Sequence, residues 1–142
     1  ILLLDGGKIG FGMNGLQNEE LTFNLAKKEN IFLHIKDYPG SHVVILEGEN
    51  NQEVFLCALE LVLYLSKLDS AEVMVAKKKD VKKNPGHIGL VNILKYETKI
   101  VKRIRPESRA LFDKELKRSW SLFHSQREVK ASLFYKYMYR IN

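Results

Sequence analysis

The chain has 142 residues, of which 45% are hydrophobic and 28% are charged; this balance excludes a disordered or fibrous protein and predicts one ordinary globular domain. Its net charge of +6 is unevenly divided, since residues 1–70 carry 5 Lys and Arg against 10 Asp and Glu, whereas residues 71–142 carry 18 against 7. A basic second half is typical of a surface that binds polyanions, and the alternative is that these lysines only decorate solvated faces.

The first predicted elements are a hairpin and a helix. Strands are predicted over 1–4 and 9–13, because the Asp-Gly-Gly sequence between them supplies the positive backbone angles of a tight turn. The pattern becomes helical over 15–30, with Asn14 or Asn18 as the N-cap. The acidic residues of this helix come early and its lysines late, as the helix dipole favours.

The most informative stretch runs from 31 to 45. Ile31, Leu33 and Ile35 alternate with other side chains, so a first strand can bury one face. Pro39-Gly40 then reverses the chain, with its glycine supplying the permissive backbone angle, and the polar residues after it enter a second strand. We expect the turn to gather polar side chains into one neighbourhood. These are His34, Lys36, Asp37, Ser41 and His42.

A second helix is predicted over 52–68, with apolar residues on almost every side. Its polar residues Glu53, Glu60 and Lys67 recur every seven positions and predict one narrow line in contact with solvent. The lone Cys57 excludes an internal disulfide and suits a reducing cytosol. The apolar run is too short to cross a bilayer, so no membrane span is expected. The predicted core residues are Phe55, Ala58, Leu61, Val62 and Leu65.

A basic segment follows a strand predicted over 72–76. Its lysines are Lys77, Lys78, Lys79, Lys82 and Lys83. Val81 among them is expected to anchor the segment, and further strands are predicted over 88–93 and 98–104. The fold class predicted from all these elements is α+β, with a mostly antiparallel β-sheet, two packed helices and a C-terminal helical tail.

The tail begins at Pro106, which suits the first position of a helix. Apolar and aromatic residues recur after it at helical spacing, and Ser125 with Glu128 forms a capping box that predicts a second helix or a kinked continuation. We therefore divide the chain into a domain at 1–105 and a helical extension at 106–142. The aromatic face of the extension is a candidate surface for a protein partner or for self-association. The chain opens on Ile rather than Met, which indicates a fragment or a processed chain.

Residues at and around the turn match a known domain. They are Gly12, Asn14, Asn18, Leu21-Thr22-Phe23, Ala26, Ile31-Phe32-Leu33-His34, Lys36-Asp37 and Pro39-Gly40-Ser41-His42-Val43-Val44-Ile45, with weaker matches at Val81-Lys82-Lys83, Pro85-Gly86 and Gly89. Over roughly residues 1–105 the chain resembles the NFACT-R domain of the NFACT family, proteins of ribosome-associated quality control once labelled fibronectin-binding proteins. It departs from the family at Met13, where a basic residue is usual, and at Phe32, where Trp is usual.

The resemblance implies an RNA-binding module in the cytoplasm, without enzymatic activity or a cofactor. The parent protein would bind tRNA and ribosomal RNA of the large subunit after stalled translation. A loop of lysines is independently suited to a phosphate backbone, without base-specific reading. The residues predicted to contact RNA are Asn14, Asn18, His34, Lys36, Asp37, Ser41, His42, Lys77, Lys78, Lys79, Lys82 and Lys83.

Other interpretations of the same residues remain open. One is a cell-surface adhesion protein that binds fibronectin, or a DNA-binding protein. Another is a hydrolase that uses His34, Asp37 and His42, with Ser41 as the nucleophile, although no nucleophile elbow accompanies them. A metal site built from the same three ligands lacks the spacing of reliable sites. A purely structural role is also open, since polar side chains often satisfy the backbone of a tight turn.

Overall fold

The computed structural model of the chain describes residues 1–125, with side chains described as far as residue 116. Eight strands are present in this part: β1 Leu2–Leu4, β2 Gly7–Phe11, β3 Ile31–Ile35, β4 Val43–Glu47, β5 Ala71–Lys77, β6 Val81–Lys83, β7 Val91–Ile93 and β8 Glu97–Val101. Six of them form one sheet in the order β1-β2-β4-β3-β5-β8, and every neighbouring pair is antiparallel. β6 and β7 form a separate antiparallel hairpin. The predicted α+β class with an antiparallel sheet is confirmed.

The helices are shorter than the sequence predicts at two places. α1 spans Gly15–Glu19 and continues as a π-helix over Glu20–Leu25, so the helix predicted over 15–30 ends early. It ends there because the chain turns back, with the Asn30 side chain accepting a hydrogen bond from the Lys27 amide at 2.7 Å. α2 spans Gln52–Leu65 rather than 52–68, since Lys67 adopts a positive φ of 57°.

Several strand boundaries differ from the prediction. β2 spans Gly7–Phe11 rather than 9–13, because Asp5 and Gly6 alone make the turn and Leu4 already pairs with Gly7. The strand predicted over 88–93 begins only at Val91, and the strand predicted over 98–104 ends at Val101. α3 spans Pro106–Ser125, beginning at the predicted proline. The capping box at Ser125 and Glu128 and the helix after it lie outside the described residues.

The large sheet is covered on both faces. Along β3, Leu33 and Ile35 join the cluster that packs with α2 and with Phe112 of α3, whereas Phe32 joins a second cluster on the opposite face. The second cluster contains residues of the π-helix and Val81 of the β6–β7 hairpin, which is 2% exposed and anchors that hairpin as expected. The α1 segment and the hairpin therefore share one face of the sheet.

Glu60 of α2 is buried, which corrects the expectation that it lies on a solvent-facing line with Glu53 and Lys67. It is 4% exposed because α3 begins directly over it. Its carboxylate accepts a hydrogen bond from the Arg105 backbone N–H at 2.8 Å, three from the Arg105 guanidinium at 2.8–3.2 Å, and one from the Ser108 hydroxyl at 2.6 Å. Burial alone would raise the pKa of Glu60, but the hydrogen bonds from Arg105 and Ser108 outweigh it and hold that pKa below its usual value.

We expect Glu60→Gln to lower the free energy of unfolding by about 2–4 kcal/mol, because it leaves the Arg105 guanidinium without its buried counter-charge. Glu53→Gln is the matched control, since Glu53 also pairs with Arg105 but its side chain is 65% exposed. The control should cost less than about 1 kcal/mol. Equilibrium unfolding in urea measures both, and equal small losses would show that the Glu60 pair is effectively solvated.

Candidate functional site

A cleft of about 440 Å³ opens at the ends of the two central strands of the sheet, where β3 ends and β4 begins. Its walls come from four places: the start of α1, the β3–β4 turn, the end of α2, and loop 88–90 between β6 and β7. The polar side chains on its lining are Asn14, Asn18, His34, Ser41, Ser66 and Lys67. Four of these six were predicted as site residues from the sequence; Ser66 and Lys67 were not.

The β3–β4 turn differs in detail from the prediction. The positive φ falls on Asp37, at 54°, and not on Gly40. Ser41 and His42 precede β4, which begins at Val43, so they lie in the extended segment before the strand rather than within it. An exposed aspartate tolerates the left-handed region better than most residues, which allows the turn to be made before the proline.

Asn18 fastens the segment after this turn to α1. Its side-chain oxygen accepts the His42 backbone N–H at 3.0 Å, and its amide nitrogen donates to the Gly40 carbonyl at 3.3 Å. A Cβ on Gly12 would collide with the same Asn18 oxygen, so only glycine leaves room for this contact. The Gly12 amide in turn donates to the His42 carbonyl at 3.0 Å. Asn18 itself is 6% exposed and supports the surface rather than forming it.

The two histidines lie together, with ring centroids 5.6 Å apart. The Phe32 ring stacks on His34 at 6.1 Å and meets His42 edge-on at 4.9 Å. His42 is 0% exposed, so in this conformation its side chain has no surface to offer a ligand. Its Nδ1 lies 2.7 Å from the Thr22 hydroxyl oxygen, while its Nε2 makes no hydrogen bond of normal geometry within the described part of the chain.

Burial disfavours the charged form of both imidazoles. Burial and the nearby His34 lower the pKa of His42 to about 3, against a smaller opposing effect of the Gly89 and Asn18 backbone. Burial also lowers the pKa of His34, which contacts the Ile35 carbonyl through Nδ1 at 2.7 Å. A carbonyl only accepts, so Nδ1 carries the proton and the His34 Nε2 is left as a lone-pair acceptor.

The remaining turn residues are at the surface. Asn14 caps α1, accepting the Gln17 amide at 2.8 Å, so of the two candidate caps it is Asn14 that serves. Lys36 pairs with Glu72 at 3.7 Å beside the sheet. Asp37 is exposed and Ser41 half-buried.

The lysines divide between two places. Lys77 and Lys79 pair with Glu29, at 3.6 and 3.5 Å, next to the start of β3. In the β3–β5 register Lys77 lies opposite Ile31 and Met74 opposite His34, so Lys77 is about 10 Å from the cleft end of the sheet. The structure therefore does not bring Lys77 and Lys79 to the cleft.

Lys78 and Lys83 lie over the π-helix. Their ammonium groups are 5.9 and 5.4 Å from the centroid of the Phe23 ring, and Lys83 also pairs with Glu19 at 3.3 Å. Lys82 is exposed on β6. The basic segment thus runs along one face of the molecule, from Glu29 towards the cleft.

Glu19 seats the β6–β7 hairpin on α1. One carboxylate oxygen accepts the Gly89 amide at 3.1 Å and the other pairs with Lys83. Gly89 has a φ of 83°, and a Cβ on it would lie 2.6 Å from the Cα of Gly15. This backbone contact forms one wall of the cleft and joins the basic hairpin to it. In the sequence, the only signal for it was the weak match at Gly89.

Within residues 1–125 no cluster of His, Cys, Asp and Glu is arranged to hold a metal ion. None of the helices in that range is both long enough and apolar enough to span a membrane.

The relatives found by comparison with known proteins share one name. No family model matches the sequence. Over 113 residues, 78% of the chain, it is 37% identical to the Rqc2 homolog RqcH of Streptococcus pneumoniae. It is 44% identical to the proteins of that name from Streptococcus suis, over 56% of the chain, and from Bacillus subtilis, over 53%. The chain is a homologue of these proteins over the matched residues. It spans only 20%, 15% and 14% of their lengths, respectively.

The fold has a solved counterpart. It matches the C-terminal part of the fibronectin/fibrinogen-binding protein from Streptococcus suis with a TM-score of 0.64 and 34% sequence identity. The match covers 72% of this chain and 43% of that structure.

We expect acid to destabilise the fold through His42. The unfolded histidine takes up a proton near pH 6.5 while the buried one stays neutral down to about pH 3, so the unfolded state binds more protons between these values. Stability should fall by about 2 kcal/mol from pH 7 to pH 5 from this group alone. Urea unfolding of wild type and His42→Gln at both pH values measures it. An unchanged pH dependence in the variant would show that His42 is not the group responsible.

The Gly89 contact can be tested against Gly86, which has a similar φ of 86° but open space around its Cα. Both Gly→Ala changes carry the strain of a left-handed residue, about 1–2 kcal/mol. Gly89→Ala must also push the loop away from Gly15, so it should cost more and shift the backbone amide resonances of α1. Equal costs and an undisturbed α1 spectrum would contradict the seating of the hairpin.

Proposed function

We propose that this chain is an RNA-binding module of the NFACT-R type, part of a cytoplasmic ribosome-associated quality control factor that binds tRNA and the large ribosomal subunit after stalled translation. One observation carries the proposal. The exposed basic β6–β7 hairpin is held beside the cleft at the β3–β4 turn by the contacts of Glu19 with Gly89 and Lys83. The homology to Rqc2 homolog RqcH proteins supports the cellular context.

The lysines of the basic segment can exchange their present ion-pair partners, which are protein carboxylates, for RNA phosphates. Their partners Glu19 and Glu29 form pairs of 3.3–3.6 Å in which the lysine side chains are 48–61% exposed. Exposed pairs of this kind contribute little to stability, so replacing a carboxylate by a phosphate costs the protein little. Each neutralised phosphate releases counterions, which makes the resulting affinity strongly dependent on salt.

The site residues then fall into two roles. The residues with exposed surface are proposed to contact RNA: Asn14, Lys36, Asp37, Ser41 and the five lysines of the basic segment, Lys77, Lys78, Lys79, Lys82 and Lys83. Asn18 and His42 are proposed as positioning residues, because their burial leaves them to hold the turn in place. His34, half-buried on the lining, belongs with the first group.

We also propose that the module acts without catalysis. A hydrolase built on His34, Asp37 and His42 needs an accessible base, and an imidazole with a pKa near 3 in the interior is a weak one at pH 7. A second candidate function is favoured by the name of the structural relative: binding of a matrix protein such as fibronectin at the same basic surface. The two candidates differ in their ligand and are separated by the following experiment.

We expect replacement of Lys78, Lys79, Lys82 and Lys83 by Ala to weaken binding of a labelled tRNA and to flatten its salt dependence. The log-log slope should fall by about 0.7–0.9 for each phosphate that the variant no longer neutralises. Fluorescence anisotropy across a salt series measures both the affinity and the slope.

A control with the same loss of charge replaces Lys8 of β2, Lys99 of β8, Lys102 just after β8 and Lys114 of α3, none of which belongs to the basic segment. Equal weakening by the two variants would show that net charge alone drives binding and would remove the hairpin from the site. Fibronectin binding by a wild-type chain that fails to bind RNA would favour the second candidate.

A further inference from the structure

The cleft and the hairpin differ in chemistry. The hairpin offers positive charge, whereas Lys67 is the one cationic side chain that the described residues place on the cleft lining. The rim is apolar and exposed: Met13, Tyr38, Ile88 and Leu90 are each 42–64% accessible. A phosphate site would need several cations or converging amides. An apolar rim around polar groups instead suits a flat ring with a polar edge.

We propose that this cleft takes one unstacked nucleobase of the bound RNA, held between the apolar rim side chains and hydrogen-bonded along its edge by the polar lining. The inference rests on the proposed RNA-binding function and names what its turn recognises. The volume of about 440 Å³ lies in the range of pockets that enclose small organic ligands. Unpaired bases of RNA loops are commonly recognised in this way, by stacking and by hydrogen bonds to their edges.

Ser66 is the most direct sign of a missing ligand. Its hydroxyl oxygen is buried and has no hydrogen-bond partner within the described residues, although the side chain lies on the lining. It follows the last residue of α2 and approaches Gly40, where a Cβ would lie 3.1 Å from that oxygen. An unpaired buried hydroxyl is costly, and a base edge in the cleft would supply both a donor and an acceptor to it.

The neighbouring side chains of the lining add a hydrogen-bond acceptor and hydrogen-bond donors. The His34 Nε2 is a lone-pair acceptor, because Nδ1–H is committed to the Ile35 carbonyl. The Asn14 oxygen is committed to the Gln17 amide, which leaves its side-chain N–H groups as donors. The lining therefore offers both donors and acceptors, as do the edges of adenine, guanine and cytosine.

Apolar burial would add affinity without adding charge. The rim side chains come from the α1 loop, the β3–β4 turn and loop 88–90, so a ring between them would remove exposed apolar surface of three segments from water at once. Stacking of a base on such a surface does not require a particular sequence around it. Recognition at this cleft would thus depend on the base being unpaired.

The first test uses free nucleotides and the full 142-residue chain. AMP, GMP, CMP and UMP are titrated while NMR follows the His34 ring and the Ser66 amide, with ribose 5-phosphate as the control that lacks a base. We expect saturable shifts from at least one nucleotide and none from ribose 5-phosphate. Equal shifts from ribose 5-phosphate, or none from any nucleotide, would overturn the inference.

The second test uses a stem-loop RNA in which each loop nucleotide is replaced in turn by an abasic residue. The wild-type chain should bind one of these abasic RNAs about tenfold more weakly than the intact RNA. Ser66→Ala should reduce that loss of affinity to less than about twofold without lowering thermal stability, because the variant loses a hydroxyl that is unsatisfied within the described residues of the free protein. Ser70→Ala, an exposed serine nearby, is the matched control and should keep the full loss.

These outcomes separate the inference from the proposed function. If all abasic RNAs bind as well as the intact one, and the hairpin lysine variant still weakens them all, RNA binding stands and the base pocket is wrong. If the intact RNA does not bind, the proposed function is wrong, and the nucleotide titration still decides whether the cleft accepts a base.

Discussion

The site depends on Asn18, a buried amide that holds three pieces of chain together. Its backbone N–H is bonded to Asn14 at 2.9 Å, while its side chain bonds both Gly40 and His42. The contact exists because Gly12 has no side chain and because α1 is capped one turn earlier. A buried amide with all these partners contributes more to the free energy of unfolding than a single hydrogen bond would, since losing it would leave several backbone groups unpaired at once. The cleft, the turn and the start of β4 keep their relative positions through this residue.

The π-helix after α1 extends the same constraint to the histidines. It places Thr22 against His42 and Phe23 beneath the ammonium groups of Lys78 and Lys83. π-helical turns are rare and occur frequently at functional sites, where they redirect side chains that an α-helix would point elsewhere. Here one such turn links the buried imidazole on one side to the basic hairpin on the other. The charged surface and the neutral cleft are thus held by the same short helix. Under the proposed function, the lysines would contact phosphates of the RNA while the cleft contacts a base.

Sequence patterns predicted the parts of this arrangement that are local. The alternation of Ile31, Leu33 and Ile35 identified β3, because a period of two is set by the strand itself. The Asp-Gly turn and the Asn14 cap were likewise readable, and Val81 was rightly expected to anchor the hairpin. Glu60 was misplaced, because helical periodicity cannot foresee that Arg105 and Ser108, far along the chain, would cover it. Ser66 was missed for the same reason, since it joins the cleft only through tertiary packing.

Two buried polar atoms lack partners in the described part of the chain, and they differ in meaning. The Ser66 hydroxyl lies on the cleft lining, so a ligand can supply what it lacks. The His42 Nε2 belongs to a side chain that is 0% exposed and packs against Phe32 and His34 rather than lining the cleft. The cost of leaving it unpaired is offset within the fold by the edge-on contact with Phe32, the bond to Thr22 and the nearby Gly89 backbone. A histidine that stays neutral and enclosed in this way acts as part of the packing. Under the proposed function, contacts to a ligand in the cleft fall to the lining residues His34, Ser41 and Ser66.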